Sequence, residues 1–153
     1  MRHRSNGAIF MKTLKEHSVA IFCNLLDRMQ GGEHLMIENE PYMSLTIERV
    51  GDAYNKEAQL ISLCHYYRQD GDLMQDPEMC FVVVDHRGED KSEYKKVQIT
   101  PYSFKQADMN IYQQSLTFEN DIVTVCDHDL QHEHADFAQM WLDNIQAQGF
   151  LNS

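Results

Sequence analysis

Apolar and polar positions repeat with two periods in this chain, and the switches between them mark out a helix, a run of strands and a second helix. Over residues 13–30, Leu14, Ile21, Phe22, Leu25, Leu26 and Met29 recur at helical spacing. Thr13 and Glu16 stand three apart as in a capping box, and Gly31-Gly32 supplies the stop, because glycine takes a left-handed conformation without a Cβ clash. The period then drops to two. "HLMIE" (34–38) and "YMSLTIERV" (42–50) read as strands on either side of Asn39-Glu40-Pro41. In the second, Met43, Leu45 and Ile47 share one face while Ser44, Thr46 and Glu48 share the other, the pattern of an antiparallel sheet with one wet face.

After a polar turn at 51–56, "AQLISLCHYY" (58–67) and "MCFVVVD" (79–85) read as strands around an acidic stretch, and "HRGEDKSEY" (86–94) as a charged loop. "KKVQITPYSF" (95–104) and "NIYQQSLTFE" (110–119) follow as strands with "KQADM" as the turn between them, and "DIVTVC" (121–126) adds a short one. Pro101 has no N–H to give a ladder, so it marks an edge or a bulge. The helical period returns over 129–148, where His134, Phe137, Ala138, Trp141, Leu142 and Ile145 form one stripe and Gly149 ends it. Helices segregated from a run of strands predict an α+β fold: an antiparallel sheet of five to seven strands bracketed by an N-terminal and a C-terminal helix. No repeat or linker composition divides the chain. Residues 11–153 are expected to form one domain, with residues 1–10 as an extension or tail, since "MKTLKEH" from Met11 reads like a natural start.

Composition narrows the class. Apolar residues make up 42% of the 153 positions, enough for a core, and the formal charge is −11 from 24 acids against 13 Lys and Arg. Such a surface repels phosphates and anionic headgroups, which argues against direct nucleic-acid or membrane binding and favours a protein partner. Nothing approaches the ~20 apolar residues of a spanning helix, and the opening segment lacks a secretory apolar region. Cys23, Cys64, Cys80 and Cys126 are scattered with no C-x-x-C pair and read as reduced, mostly buried thiols of a cytoplasmic protein.

Two constellations carry candidate chemistry. The first is "HYYRQDGDLMQDPEMCFVVVD" (65–85), which packs Asp70, Asp72, Asp76 and Glu78 together. Counted as a calcium loop from Asp70, it puts Met74, Gln75 and Phe81 where an oxygen ligand, glycine and Glu belong. A looser magnesium or manganese site from Asp72, Asp76 and Glu78, or an acid/base pair among them, is an alternative. The simpler reading takes Asp70-Gly71 and Asp76-Pro77 as two bends in a structured connection of about 10 residues, with Leu73 and Met74 tucked inward as anchors. On that reading His65, Tyr67, Asp70, Asp72, Asp76 and Glu78 present binding contacts.

The second constellation is "CDHDLQHEHADF" (126–137). His128 and His132 are four apart, one helical turn, with His134 alongside, so they are candidate ligands for zinc or another divalent cation. Neither H-E-x-x-H nor H-x-x-E-H occurs, and a further ligand would have to come from His17, His65 or His86. The plainer reading has Asp127 and Asp129 offsetting the positive end of a helix, His132 on the surface and His134 against the apolar stripe. No cofactor is expected. Cys64 and His65 are neighbours on a strand and point to opposite faces, so they form no dyad, and no esterase, P-loop or dinucleotide motif is present. Tyr66, Tyr67, Tyr102, Phe104, Tyr112 and Phe118 suggest a stacking platform, but the interleaved cations are only Arg68, Lys95, Lys96 and Lys105.

"ISLCHYYRQDGDLMQDPEMCFVV" followed late by "FAQMWLDNIQAQGF" resembles an uncharacterised bacterial domain-of-unknown-function family of mobile elements and polyvalent proteins, the one catalogued as number 6908. The matching residues include His65, Tyr66, Gly71, Asp72, Asp76, Pro77, Glu78, Trp141, Asn144, Gly149 and Phe150. The resemblance carries no activity, cofactor or catalytic residue; it implies an accessory protein of a mobile genetic element in a bacterial cell. The expectation is a non-enzymatic protein-interaction module. The alternatives are an acidic anti-restriction or anti-defence DNA mimic and a metal-dependent enzyme using the 128–134 histidines or the Asp72/Asp76/Glu78 loop.

Overall fold

A computed structural model describes residues 10–153. In chain order the elements are α1 (Glu16–Arg28), β1 (His34–Ile37), β2 (Ser44–Ala53), β3 (Ala58–Gln69), β4 (Asp72–Asp85), β5 (Val97–Gln106), β6 (Ile111–Gln114), β7 (Leu116–Glu119), β8 (Ile122–Cys126) and α2 (His128–Ala147), with single 3-10 turns at 94–96, 107–109 and 150–152. The fold is α+β. Strands β1 to β6 stand in chain order in one antiparallel sheet, and β7–β8 form a separate hairpin. The expected extension falls, for residues 1–9, outside the described residues. Among the described residues no helix is long and apolar enough to cross a membrane.

The first helix starts three residues later than its spacing predicts, and Thr13 caps nothing. Lys15 is the N-cap position and makes no side-chain cap bond. Tertiary hydrogen bonds explain the delay. The Leu14 N–H donates to the Ile99 carbonyl at 2.9 Å, the Lys12 N–H donates to Gln131 Oε1 at 2.7 Å, and the Lys15 N–H donates to Gln139 Oε1 at 2.8 Å. These bonds hold residues 12–15 extended between β5 and α2, so the chain enters the helical conformation only after Lys15, too late for Thr13 to stand at its first turn. At the other end the left-handed turn begins at Gln30 and continues at Gly31. The second helix lies within one residue of expectation: Asp127 caps it by accepting from the Leu130 N–H, and Gly149 follows its end at φ 91°.

Both helices cover one face of the sheet. Leu45, Ile47, Ile61, Leu63, Met79, Phe81 and Ile99 point to them and are essentially fully buried, meeting Phe22, Leu25, Trp141, Leu142 and Ile145. Phe22 and Phe81 meet edge to face at 4.9 Å; burial of each ring contributes about 2–3 kcal/mol. The expected wet face is only partly wet. Ala53, Ala58, Val82, Tyr102, Leu116, Val123 and Cys126 form a second apolar cluster where the β7–β8 hairpin folds over one end of it. That hairpin exists because the single strand expected over 110–119 is broken at Ser115. The Ser115 N–H donates to the Tyr102 carbonyl and its own carbonyl accepts from the Asp127 N–H, both at 2.8 Å, which carries the chain out of the main sheet. Pro101 does sit at a bulge: Cys80 pairs with Ser103 but Phe81 pairs with Pro101, leaving Tyr102 as the extra residue.

Candidate functional site

The acidic stretch folds as the tip and upper half of a hairpin, not as a ten-residue connection. Gln69 pairs with Asp72, so only Asp70 and Gly71 make the turn, at φ 53° and 88°. Two successive positive φ values suit the twist of a two-residue hairpin turn, and Asp-Gly is the dipeptide that adopts it at least cost. The backbone does reverse there. Asp76-Pro77 makes no second reversal, because it lies inside β4, where it forms a bulge: Cys64 opposes Glu78 and Tyr66 opposes Gln75, leaving His65 across from two residues. The bulge lets proline sit in a central strand.

A one-residue slip changes which face each side chain takes. Below the bulge, Glu78 shares the face away from the helices with Ser62 and Cys64; its Oε2 accepts from Ser62 Oγ at 2.6 Å. Above it, Asp76 lies on the helix side and accepts from Gln106 Nε2 at 3.0 Å. Asp70 and Asp72 are exposed at the tip, and Tyr67 is half-buried. The four acids therefore diverge, and Asp72, Asp76 and Glu78 are not brought together. Leu73, expected as an anchor, is 53% exposed: paired with Arg68, it faces the open side beyond the covered part of the sheet. Met74 is half-buried.

His65 is placed away from the surface. Its ring lies 5.6 Å from that of Trp141 and 5.4 Å from that of Phe150, and Nδ1–H donates to the Ser44 carbonyl at 3.2 Å. Burial lowers its pKa, so it is a neutral core group. The other histidines also separate. The rings of His128 and His132 are 6.3 Å apart on the outer turn of α2, whereas His134 is buried. The His134 Nδ1 lies 2.9 Å from Ser115 Oγ and its Nε2 lies 3.2 Å from Gln113 Oε1, so both ring nitrogens are engaged. Among the described residues no group of three or more His, Cys, Asp or Glu is placed to hold a metal ion. The thiols are no better poised for chemistry: burial raises Cys23 to about 11 and Cys64 to about 12, and raises Cys80 and Cys126. All four are free, with Cys80 half-buried and the others buried.

What the fold does assemble is a groove of ≈ 550 Å³ on the open half of the sheet, crossing β1, β2, β3 and the start of β4. Thr46 and Tyr66 line its floor; Met36, 51% exposed, and Leu73 flank it, and the charges on its lining are Glu38, Glu48 and Arg68. Sequence does not single out Met36 and Glu38, and it marks Glu48 only as a wet-face position and Tyr66 as part of a stacking platform and of the 65–85 block. Their signal was available in the alternation itself, since they occupy the polar phase of β1, β2 and β3, yet nothing local says that this end of the face stays uncovered. A smaller cavity of ≈ 300 Å³ lies between the β7–β8 hairpin and the sheet, lined by Val123 of the hairpin and by Val82 and Thr100 of the sheet, with the Glu57–His86 pair (3.4 Å) also in its lining.

Residues 18–151 match the family described as a domain of unknown function, DUF6908. No match was found among the curated proteins or among the solved structures.

Proposed function

The chain belongs to the family of the domain of unknown function DUF6908, and from its surface we propose that it is a non-enzymatic protein-interaction module that binds through the open half of its sheet. The observation that carries this reading is the groove. Two large apolar side chains, Met36 and Leu73, stand more than half exposed on a rigid sheet around Tyr66, with carboxylates beside them. Exposed apolar groups around an aromatic, rimmed by charge, are the composition that a protein partner covers. The groups that would argue for catalysis are engaged elsewhere: His65 and His134 are neutral and hydrogen-bonded in the interior, and the thiols are held protonated. A cytoplasmic setting within a bacterial mobile element is the context that the resemblance of the 65–79 block and the last helix suggests.

The test is affinity capture by the full chain from its native host, compared with Leu73→Asp and Tyr66→Ala. A stoichiometric partner is expected with the parent chain, reduced about tenfold or more by either substitution, the scale of losing one central apolar contact. Identical recovery with all three proteins overturns the reading.

A further inference from the structure

Strand β1 is an edge, and its outward main-chain groups can be named. The Arg49 N–H donates to the Glu33 carbonyl at 2.8 Å, so that pair is hydrogen-bonded, and in an antiparallel ladder so are Leu35 with Ile47 and Ile37 with Leu45. The N–H and C=O of His34 and Met36 therefore point away from β2, and among the described residues no backbone bond from another segment meets them. The opposite edge is managed differently: beside β6 the chain folds back at once, and Gln114 Nε2 donates to the Leu116 carbonyl at 2.8 Å. β1 is only four residues long, but it carries no lysine, proline or bulge within the strand.

Resting on the reading of this chain as a protein-interaction module, we propose that β1 accepts an extended segment of another protein as a seventh strand, one in which Lys or Arg alternates with apolar residues. The alternation follows from the two faces of the edge. On the helix side the incoming side chains meet half-buried Leu35 and buried Ile37, which calls for apolar residues. On the open side they meet Met36 between His34 and Glu38, with Glu48 behind His34 and Thr46 behind Met36 on β2. Long basic side chains fit there, one with its stem over Met36 and its charge towards Glu38, and one opposite His34 with its charge towards Glu48. Glu33 and Glu40, both exposed, add negative charge at the two ends of the strand. The nearby guanidinium of Arg49 faces Glu33 and Asp52, at 3.7 and 3.6 Å. A second copy of this chain is disfavoured as occupant because each carries a formal charge of −11 and brings the same acids to the seam.

Two labelled peptides test this, one of alternating Lys and Val and one of alternating Glu and Val, followed by fluorescence anisotropy and by amide hydrogen exchange across residues 34–37. The Lys–Val peptide is expected to bind, to slow exchange at His34 and Met36, and to bind at least about tenfold more tightly than its Glu–Val counterpart. Met36→Pro is expected to abolish binding while leaving the circular dichroism and melting temperature unchanged, since the N–H it removes takes no part in the β1–β2 ladder. If that variant misfolds, backbone N-methylation of the Lys–Val peptide makes the same test on the native chain, with loss of binding expected. The proposal is overturned if the Lys–Val peptide does not bind, if both peptides bind equally, if binding survives both blocks, or if sedimentation shows two copies joined through β1. Partner capture lost in Leu73→Asp but unaccompanied by Lys–Val binding overturns strand addition and leaves the interaction module standing. Capture indifferent to Leu73→Asp and Tyr66→Ala overturns that module instead.

Discussion

Arg87 holds two carboxylates at once. Its guanidinium donates to Asp85 Oδ2 at 2.9 Å and to Asp27 Oδ1 at 2.8 Å, and reaches the Lys91 carbonyl at 2.9 Å, with its side chain only 1% exposed. Asp85 ends β4 and Asp27 sits in the last turn of α1, so one side chain fastens helix to sheet. Removing it strands a half-buried carboxylate. Arg87→Ala is expected to cost about 3–5 kcal/mol in urea unfolding, and Arg87→Lys to recover less than half, because an ammonium cannot reproduce the planar fork. His134 makes the opposite kind of contribution. Burial pushes it from 6.5 down to about 4, only weakly opposed by Asp127. Between those values the unfolded chain binds the proton that the folded chain refuses, so this histidine's share of stability is intact at neutral pH. It is lost as the pH falls from about 6.5 to about 4. His65, lowered by burial, acts in the same direction. Melting temperatures across that interval should fall, and should fall less steeply in His134→Gln, even though that variant begins lower.

At the scale of the element, the β3–β4 hairpin shows which parts of a local signal survive folding. Asp70-Gly71 is legible as a turn because the requirement is local: two residues at positive φ, one of them glycine. Gly71→Ala is expected to destabilise by about 1–2 kcal/mol, since the added Cβ finds open space but must adopt φ 88°. Asp70→Gly, which relieves φ 53° at its neighbour, should lie within about 0.5 kcal/mol of the parent; chemical denaturation of both variants separates strain from lost contacts. Asp76-Pro77 carries an equally strong turn signature and makes no reversal. Its place is set by pairing on both sides of it: Glu78 is held opposite Cys64 and Gln75 opposite Tyr66, so the chain runs straight on with one extra residue in β4. A dipeptide cannot announce a register fixed by another strand. The same holds for Thr13, whose capping signature is overridden by bonds to β5 and α2.

For the molecule as a whole, the sheet presents two unlike faces. One receives both helices; the other is covered at one end by β7–β8 and, among the described residues, left open at the end that holds the groove and the edge of β1. Charge belongs to this scale too. The formal charge is −11, and the open end is where carboxylates and exposed apolar groups coincide. The fold class, the two helices, the strand-rich middle, the hairpin turn and the burial of His134 are legible along the chain, because periodicity and turn chemistry act between residues a few positions apart. Not legible there are the divergence of the four acids, the inward turn of His65, the break at Ser115 in the strand over 110–119, and which end of the second face stays uncovered among the described residues. Those outcomes depend on contacts between distant segments, and a face's exposure is a property of what packs on it, not of the residues that compose it.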